Sequence, residues 1–199
     1  MMSEPLQIPA RRQDDPAPAL DFDAEILLRA QDVRVLLLDV DGVLTPGDLI
    51  VGEHGEQLKR FSTLDGHGLK LLAACGVTPV VLSGRDSPAL RTRLRELGLA
   101  DRAVLGRSVK LPGAEAVLRD LGATWSEVAV IGDDWPDLPL IARARLAVCP
   151  PVSHPEVLAR AHMRTRAAAG HGAVREVCDA LLVAHGVYGE LLARAVAGD

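Results

Sequence analysis

The sequence contains few aromatic residues and only three cysteines. Phe, Trp and Tyr make up 3% of the 199 residues, so the core must be built from Leu, Val and Ala. Cys75, Cys149 and Cys178 lie far apart without C-x-x-C spacing, and each lies in an apolar run. The spacing and the odd number predict buried, reduced thiols, which are typical of a reducing cytoplasm.

The sequence also lacks an excess of positive charge, the basic-then-apolar pattern of a signal peptide at its N-terminus, and a long hydrophobic run. Its net charge of −5 argues against a nucleic-acid or membrane-surface binder, since both need a basic face. No apolar run approaches the ~18 residues that a membrane span needs. We therefore expect a cytoplasmic protein that binds neither nucleic acid nor membranes. A small anionic substrate is compatible with this charge, because a few cations in a pocket outweigh it locally.

The chain divides into a tail and a single domain. Residues 1–20 contain four prolines and mixed charges without an apolar period, which predicts a disordered tail. The remaining residues, 21–199, are enough for one α/β domain with a sizeable core but not for two. A short helix is expected from Asp23 to about Ala30, with Asp23 as its N-cap.

From Val33 onward, short apolar runs alternate with segments of helical spacing. Runs without polar alternation indicate strands buried on both faces, which predicts a doubly wound α/β fold with a parallel sheet. Pro79 lies inside the second run, so this strand should begin only after it. The expected strands are Val33–Leu38, Val77–Leu82, Ala103–Leu105, Val128–Ile131, Leu146–Cys149 and Met163–Thr165. The expected helices are Gly66–Cys75, Pro88–Leu97, Pro112–Leu121, Asp134 to about Ala144, and Ala173 to about Ala195.

The segment from Leu49 to Phe61 breaks this alternation. Two short extended runs flank Gly52-Glu53-His54-Gly55, which predicts a β-hairpin with a glycine-bounded turn. The hairpin follows the first strand, at the carboxyl edge of the sheet where ligands of α/β proteins bind. We expect it to be a flap over the site or a subunit contact.

Carboxylates follow two of the predicted strands. Asp39 and Asp41 end the first strand, and Asp133, Asp134 and Asp137 follow the fourth. Closely spaced carboxylates at a buried strand end are costly to desolvate unless a positive charge lies between them. Mg²⁺ prefers oxygen ligands and carries two charges, so one shared magnesium site explains both clusters.

A hydroxyl and a cation complete the candidate chemistry. Ser83 and Gly84 follow the second strand, where a hydroxyl and unhindered N–H groups suit a phosphate oxygen. Lys110 precedes the helix at Pro112 and could place a point charge on the same phosphate. Taken alone, the Ser-Gly pair is more typical of an ordinary turn, and Lys110 of a surface lysine.

Together these segments closely resemble the haloacid dehalogenase (HAD) superfamily of phosphatases. The resemblance is carried by D-x-D-G-V at Asp39, Ser-Gly-Arg at Ser83, Lys110, and G-D-D-x-x-D at Gly132. It implies an HAD-like Rossmannoid fold and hydrolysis through an aspartyl-phosphate formed on Asp39. Asp41 is then the general acid and base, while Ser83 and Lys110 hold the phosphoryl group.

The same resemblance implies how a magnesium ion is bound. Its ligands are Asp39, the backbone carbonyl of Asp41, and Asp133. Asp134 and Asp137 are then expected to orient water or the lysine.

The layout further resembles the 3-deoxy-D-manno-octulosonate 8-phosphate phosphatase family. The short interval from Asp41 to Ser83 leaves no room for a cap domain, and the run from Gly172 to Asp179 is a long, specific match. The resemblance implies a homotetramer in which the hairpins pack around a central axis and a neighbour roofs each site. It also implies substrate contacts from Asp41, Ser62, Thr63, Leu64, Asp65, Gly66, Lys70, Arg85, Arg93, Lys110 and Asp134.

Three residues depart from that family's pattern. Leu64 and His171 stand where the family usually has arginine, and His67 where it usually has an aromatic residue. None of them belongs to the phosphoryl-transfer residues, so the reaction is better supported than the substrate. A nonulosonate 9-phosphate or another small phosphate ester is therefore an alternative substrate. A non-catalytic oligomerisation module is an alternative from another functional class.

Overall fold

The computed structural model describes residues 19–198, which form a six-stranded parallel sheet with helices on both faces and a separate two-stranded hairpin. The strands are β1 Val35–Leu38, β2 Ile50–Gly52, β3 Gly55–Leu58, β4 Thr78–Leu82, β5 Ala103–Val104, β6 Val128–Ile131, β7 Leu146–Cys149 and β8 Met163–Arg164. The helices are α1 Ala24–Ala30, α2 Thr63–Ala74, α3 Pro88–Leu97, α4 Leu111–Leu121, α5 Leu138–Ile141, α6 Pro155–Leu158, α7 Ala173–Ala184 and α8 Tyr188–Ala197. The strand order β5-β4-β1-β6-β7-β8 confirms the predicted doubly wound fold.

The core lies on both sides of the sheet. Leu36 and Leu38 of β1 pack with buried residues of α1, α2, α3 and α7. Val35 and Leu37, which point to the opposite face, pack with α4, α5 and α6. Both faces are therefore covered, and this explains why the strands read as continuous apolar runs. The three cysteines are buried and free, as predicted.

The expectation that the second core strand begins after Pro79 was wrong. Pro79 lies inside β4 and pairs in register with Leu36 of β1. On the other side of β4, strand β5 pairs only with Val81 and Leu82. Because no strand within residues 19–198 faces β4 at position 79 on that side, the missing N–H of proline removes no ladder hydrogen bond there.

Two predicted helices are shorter than expected. The helix predicted from Asp134 to Ala144 is a 3-10 turn, Trp135–Asp137, followed by the four residues of α5. The helix predicted from Ala173 to Ala195 breaks at Gly186, whose φ of +74° ends α7 before α8 begins. Within residues 19–198, no helix is by itself long and apolar enough to cross a membrane, and α7 and α8 reach that measure only as a pair bent by 109°.

The hairpin was predicted correctly and leaves apolar side chains exposed. Strands β2 and β3 pair antiparallel around a turn at Glu53 and His54. The side chains of Ile50, Val51 and Leu58 are largely exposed on it. The predicted disordered tail, residues 1–20, lies almost wholly outside the described residues.

Candidate active site

The candidate site lies where the central strands of the sheet end. Strand β1 lies between β4 and β6, so the residues after these three strands meet at one edge. Asp39 follows β1, Ser83 follows β4, and Asp133 follows β6 after one glycine. The Asp39 N–H donates to the Ile131 carbonyl at 3.1 Å, which continues the β1–β6 ladder into the site.

Lys110 joins two of the carboxylates. It occupies the N-cap position of α4, and its side chain is 3% exposed. Its Nζ lies 2.7 Å from Asp39 Oδ1 and 2.7 Å from Asp137 Oδ1. Burial alone would lower the pKa of Lys110, but the charges of Asp137 and Asp39 raise it above its usual value. The lysine is therefore a fixed positive charge beside the predicted nucleophile.

Three carboxylates form the acidic group of the site. Oxygens of Asp39, Asp133 and Asp137 lie within 4.8 Å of one another. Burial and the charge of Asp137 raise the pKa of Asp39 to about 6. Burial and the charges of Asp39 and Asp137 raise the pKa of Asp133 to about 7. This mutual repulsion is what a divalent cation would relieve.

Two further observations fit a bound magnesium ion. Asp133 Oδ1 is buried without a hydrogen-bond partner among the described residues, as expected of an oxygen that binds a metal. Gly42 follows Asp41 in the loop after β1 with φ +87°, and a Cβ there would lie 2.2 Å from Asp133 Oδ2. Only glycine therefore lets this loop approach the Asp133 carboxylate.

Asp137 also organises the loop after β6. Its Oδ2 accepts hydrogen bonds from the N–H groups of Asp133 at 3.1 Å and Asp134 at 3.4 Å. Its other oxygen binds Lys110, so one buried carboxylate fixes both the lysine and the loop. This agrees with the expectation that Asp137 orients Lys110. Asp134 is exposed.

The Asp41 side chain lies outside the acidic group. Its Oδ1 accepts a hydrogen bond from the Lys59 ammonium, and its Oδ2 lies 3.9 Å from Arg85 Nε. The side chain is 20% exposed. Asp41 is thus separate from the carboxylates that could bind a metal, which suits an acid or base more than a second side-chain ligand.

Ser83 is built into the turn that follows β4. The residue is buried, and its Oγ accepts a hydrogen bond from the Arg85 N–H at 3.1 Å. Its N–H and carbonyl bond to Val104 and Arg107, which fixes the turn on both sides. The hydroxyl proton remains available to a phosphate oxygen.

The predicted substrate loop, residues 62–66, forms the first turn of α2. Ser62 is its N-cap and accepts the Leu64 N–H at 3.2 Å, while Thr63 and Leu64 are exposed. Asp65 is buried, and its oxygens accept N–H groups at the N-terminus of α7. The Asp65 carboxylate therefore joins α2 to α7 and does not point to an open pocket. Gly66 lies against the guanidinium of Arg93.

The structure brings the predicted cations to different depths. Arg85 is half exposed and close to Asp41. Arg93 donates to the Ser62 carbonyl at 3.2 Å and lies over the Phe61 ring, so it supports the loop. Lys70 lies on an exposed face of α2, and in residues 19–198 no hydrogen bond or ion pair links it to the site.

Leu64 and His171, two of the three residues that depart from the family pattern, lie close together. Leu64 is 56% exposed and lies beside Gly172. His171 Nε2 lies 3.2 Å from a guanidinium nitrogen of Arg60. Arg60 therefore supplies a cation beside His171, where the family usually has arginine. His67, by contrast, lines a cavity of about 250 Å³ between α2, α7 and α8.

Sequence reasoning missed Lys59. Its side chain is 1% exposed and contacts both Asp41 and Glu56. The pairing joins residues 18 positions apart, and no local spacing rule predicts it. The available signal was the rarity of lysine, which occurs three times against nineteen arginines.

No protein-family model matches the chain, but curated relatives do. The 3-deoxy-D-manno-octulosonate 8-phosphate phosphatase KdsC of Escherichia coli K12 is 37% identical over 163 residues, 82% of this chain and 86% of that protein. The KdsC protein of Yersinia pestis is 38% identical over 160 residues, 80% of this chain and 85% of that protein.

Solved structures agree with these relatives. The Moraxella catarrhalis 3-deoxy-D-manno-octulosonate 8-phosphate phosphatase, in complex with a magnesium ion, a phosphate ion and a KDO molecule, is 32% identical. It matches with a TM-score of 0.81, over 85% of this chain and 97% of that chain. The Yersinia pestis phosphatase matches with a TM-score of 0.80 at 37% identity, over 83% of this chain and 89% of that chain. This chain therefore belongs to the 3-deoxy-D-manno-octulosonate 8-phosphate phosphatase family of the HAD superfamily.

Proposed function

We propose that this protein is a magnesium-dependent phosphatase that hydrolyses a small phosphosugar acid, 3-deoxy-D-manno-octulosonate 8-phosphate first among them. The observation that carries the proposal is the buried Lys110 between Asp39 and Asp137, beside the unpartnered oxygen of Asp133. Relatives that cover four fifths of the chain are named for this activity.

Asp39 is the nucleophile. With a pKa of about 6 its carboxylate is mostly ionised above about pH 7. It attacks phosphorus, the bond to the sugar oxygen breaks, and an aspartyl-phosphate forms. Lys110 offsets the repulsion between the carboxylate and the phosphate dianion, and Ser83 donates a hydrogen bond to a phosphate oxygen. A magnesium ion held by Asp39, Asp133 and the Asp41 carbonyl would supply two further charges against the same repulsion.

Asp41 carries the protons. In the first step it gives a proton to the departing sugar oxygen. In the second it takes a proton from the water that attacks the aspartyl-phosphate, and the bond between phosphorus and the Asp39 oxygen breaks to release inorganic phosphate. Its separation from the acidic group lets it exchange protons without competing for the metal. This division of work accounts for two carboxylates one residue apart.

Exposed cations near the site explain why the substrate should be a sugar acid. The substrate carries a carboxylate as well as a phosphate, and Arg85 and Arg60 are exposed cations at the mouth of the site. Guanidinium groups bind carboxylates with two parallel hydrogen bonds. Asp134 and the exposed Thr63 and Leu64 are then contacts at the same mouth.

A panel of phosphate esters tests the proposal. The panel contains 3-deoxy-D-manno-octulosonate 8-phosphate, a nonulosonate 9-phosphate and glucose 6-phosphate, and inorganic phosphate release is measured with Mg²⁺ and with EDTA. We expect the highest kcat/KM on the first ester, loss of activity in EDTA, and a loss of at least about a thousandfold in Asp39→Asn. Asp120→Asn, an exposed carboxylate on α4, is the matched control. No phosphate release from any ester, or Asp39→Asn within about tenfold of wild type, would contradict the proposal.

We further propose that residues 21–199 are one domain that acts as a homotetramer in the cytoplasm. A two-stranded ribbon is marginally stable alone, and its free edges invite pairing with another chain. Ile50, Val51 and Leu58 are exposed on it and would be buried between hairpins. Replacing residues 50–58 by a short turn should lower both the mass measured by light scattering and the activity. A wild-type chain that is a fully active monomer at micromolar concentration would contradict the proposed homotetramer.

A further inference from the structure

The side chain of Lys59 is buried, although most of the hairpin before it is exposed. Every residue of β2 is exposed, and Gly55, Gln57 and Leu58 of β3 are exposed as well. One position after β3 ends, the Lys59 side chain is 1% exposed. A lysine is rarely buried this completely unless it is paired.

The burial is compensated by two carboxylates. The Lys59 ammonium forms ion pairs with Asp41 Oδ1 and with Glu56 Oε1, the second at 2.5 Å. Glu56 belongs to the hairpin itself, whereas Asp41 belongs to the loop after β1. Lys59 therefore links the hairpin to the predicted proton carrier. Breaking a buried pair of this kind leaves a charge without compensation.

The link also determines which oxygen of Asp41 is free. Lys59 occupies Oδ1, and Oδ2 lies toward Arg85 at the mouth of the site. General acid catalysis requires the donating oxygen within hydrogen-bond reach of the leaving group. A carboxylate free to rotate about its χ angles would spend part of its time elsewhere.

We propose that Lys59 is a positioning residue for Asp41, holding Oδ1 so that Oδ2 faces the leaving oxygen of the substrate. The inference rests on the proposed phosphatase activity and extends it to the hairpin. The placement of the hairpin then controls proton transfer within one subunit, independently of any neighbour that covers the site. Lys59 itself touches no reacting atom.

Two esters of nearly equal shape isolate proton transfer. Phenyl phosphate and p-nitrophenyl phosphate differ in one nitro group, but the nitrophenolate leaves readily without a proton and the phenolate does not. The parameter kcat/KM covers the step in which the leaving group departs. We measure the ratio of kcat/KM for phenyl phosphate to that for p-nitrophenyl phosphate, because loss of general acid catalysis lowers this ratio.

In Lys59→Met, which keeps the apolar stem and removes the charge, we expect the ratio to fall about tenfold or more, toward the value of Asp41→Asn. Arg34→Met, which breaks the exposed Arg34–Glu127 ion pair, should leave it unchanged. If Lys59→Met does not fold, as judged by its thermal melt, Lys59→Gln takes its place.

A double-mutant cycle on the best substrate of the ester panel separates positioning from a purely structural role. If Lys59 acts through Asp41, then Lys59→Met should lower kcat by less than twofold in an Asp41→Asn background. Equal losses of kcat in both backgrounds, or an unchanged ester ratio in an active Lys59→Met, overturn the inference alone. A wild-type chain that hydrolyses no ester overturns the proposed function and this inference with it.

Discussion

Asp133→Asn should stabilise the metal-free protein while removing its response to magnesium. Asp133 lies close to Asp39 and Asp137, and one lysine, Lys110, offsets the charge of this group. The Asp133 oxygen Oδ1 has no hydrogen-bond partner in the described chain. An amide keeps the shape of the side chain and removes both the buried negative charge and its repulsion of Asp39 and Asp137, but it is a poor ligand for Mg²⁺.

The size of the effect follows from the acidity of Asp133. A carboxyl whose pKa rises from 3.8 to about 7 destabilises the folded state, when it is ionised, by up to about 4 kcal/mol. Asp133 retains some contact with solvent, which screens the repulsion, so we expect about half of this, ~2 kcal/mol. For a chain of this size 1 kcal/mol corresponds to a change in Tm of roughly 2–4 °C. Asp133→Asn in EDTA should therefore melt roughly 4–8 °C above wild type at pH 8.

The pH dependence gives the effect its signature. Because the pKa of Asp133 is raised on folding, the folded state binds more protons than the unfolded state between about pH 4 and pH 7. The contribution of this residue to the free energy of unfolding therefore becomes less favourable as the pH rises through that range. The advantage of Asp133→Asn should be large at pH 8 and nearly absent at about pH 3, below the usual pKa of the carboxyl.

Thermal melts with and without Mg²⁺ provide the assay. Wild type should gain stability from millimolar Mg²⁺ at pH 8, and Asp133→Asn should not. Asp120→Asn, which removes an exposed carboxylate of α4, should follow wild type in every condition. An Asp133→Asn protein that melts below wild type in EDTA at pH 8, or that is still stabilised by Mg²⁺, would refute the shared-repulsion account.

Three more substitutions test other parts of the site. Lys110→Met leaves two buried carboxylates unpaired, so it should cost about 3 kcal/mol by denaturant unfolding at pH 8 and reduce phosphate release at least about a thousandfold; retention of both would remove Lys110 from its role. Gly42→Ala places a Cβ 2.2 Å from an Asp133 oxygen, so Mg²⁺ binding measured by calorimetry should weaken at least about tenfold, and unchanged binding would contradict the close approach. Asp65→Ala removes the acceptor for two N–H groups of α7 and should lower stability by about 1–2 kcal/mol while KM for the sugar phosphate changes less than about threefold; a large KM change would instead make Asp65 a substrate contact.

The site residues at the strand ends were predictable because a local sequence pattern determines their positions. Buried strands in parallel sheets give apolar runs, and the residues after those runs meet at one edge whatever the loops do. Asp39, Ser83 and Asp133 are all placed in this way. Lys110 needed the additional information of motif order, since a lysine before a helix is ordinary on its own.

Other features depend on partners distant in sequence. Pro79 is tolerated in β4 because β5 is too short to face it. The apolar run that contains the proline carries no information about the length of that edge strand. From its sequence position, Asp65 is a typical residue of a helix start. Its carboxylate nevertheless accepts hydrogen bonds at the N-terminus of α7, more than one hundred positions later. Such pairings are tertiary, so local propensity carries no signal for them.

The two buried lysines of this arginine-rich chain have similar surroundings. Lys110 links Asp39 to Asp137, and Lys59 links Asp41 to a carboxylate of the hairpin. In both places one compact ammonium, with three rotatable donors, lies between carboxylates from separate segments of the chain. A guanidinium is planar and larger, and it binds one carboxylate side by side more readily than it bridges two. Each carboxylate of the D-x-D pair therefore has its own lysine, so the proposed nucleophile and the proposed proton carrier are held independently. A substitution at one lysine should then disturb the carboxylate of the pair that it contacts and leave the orientation of the other carboxylate intact.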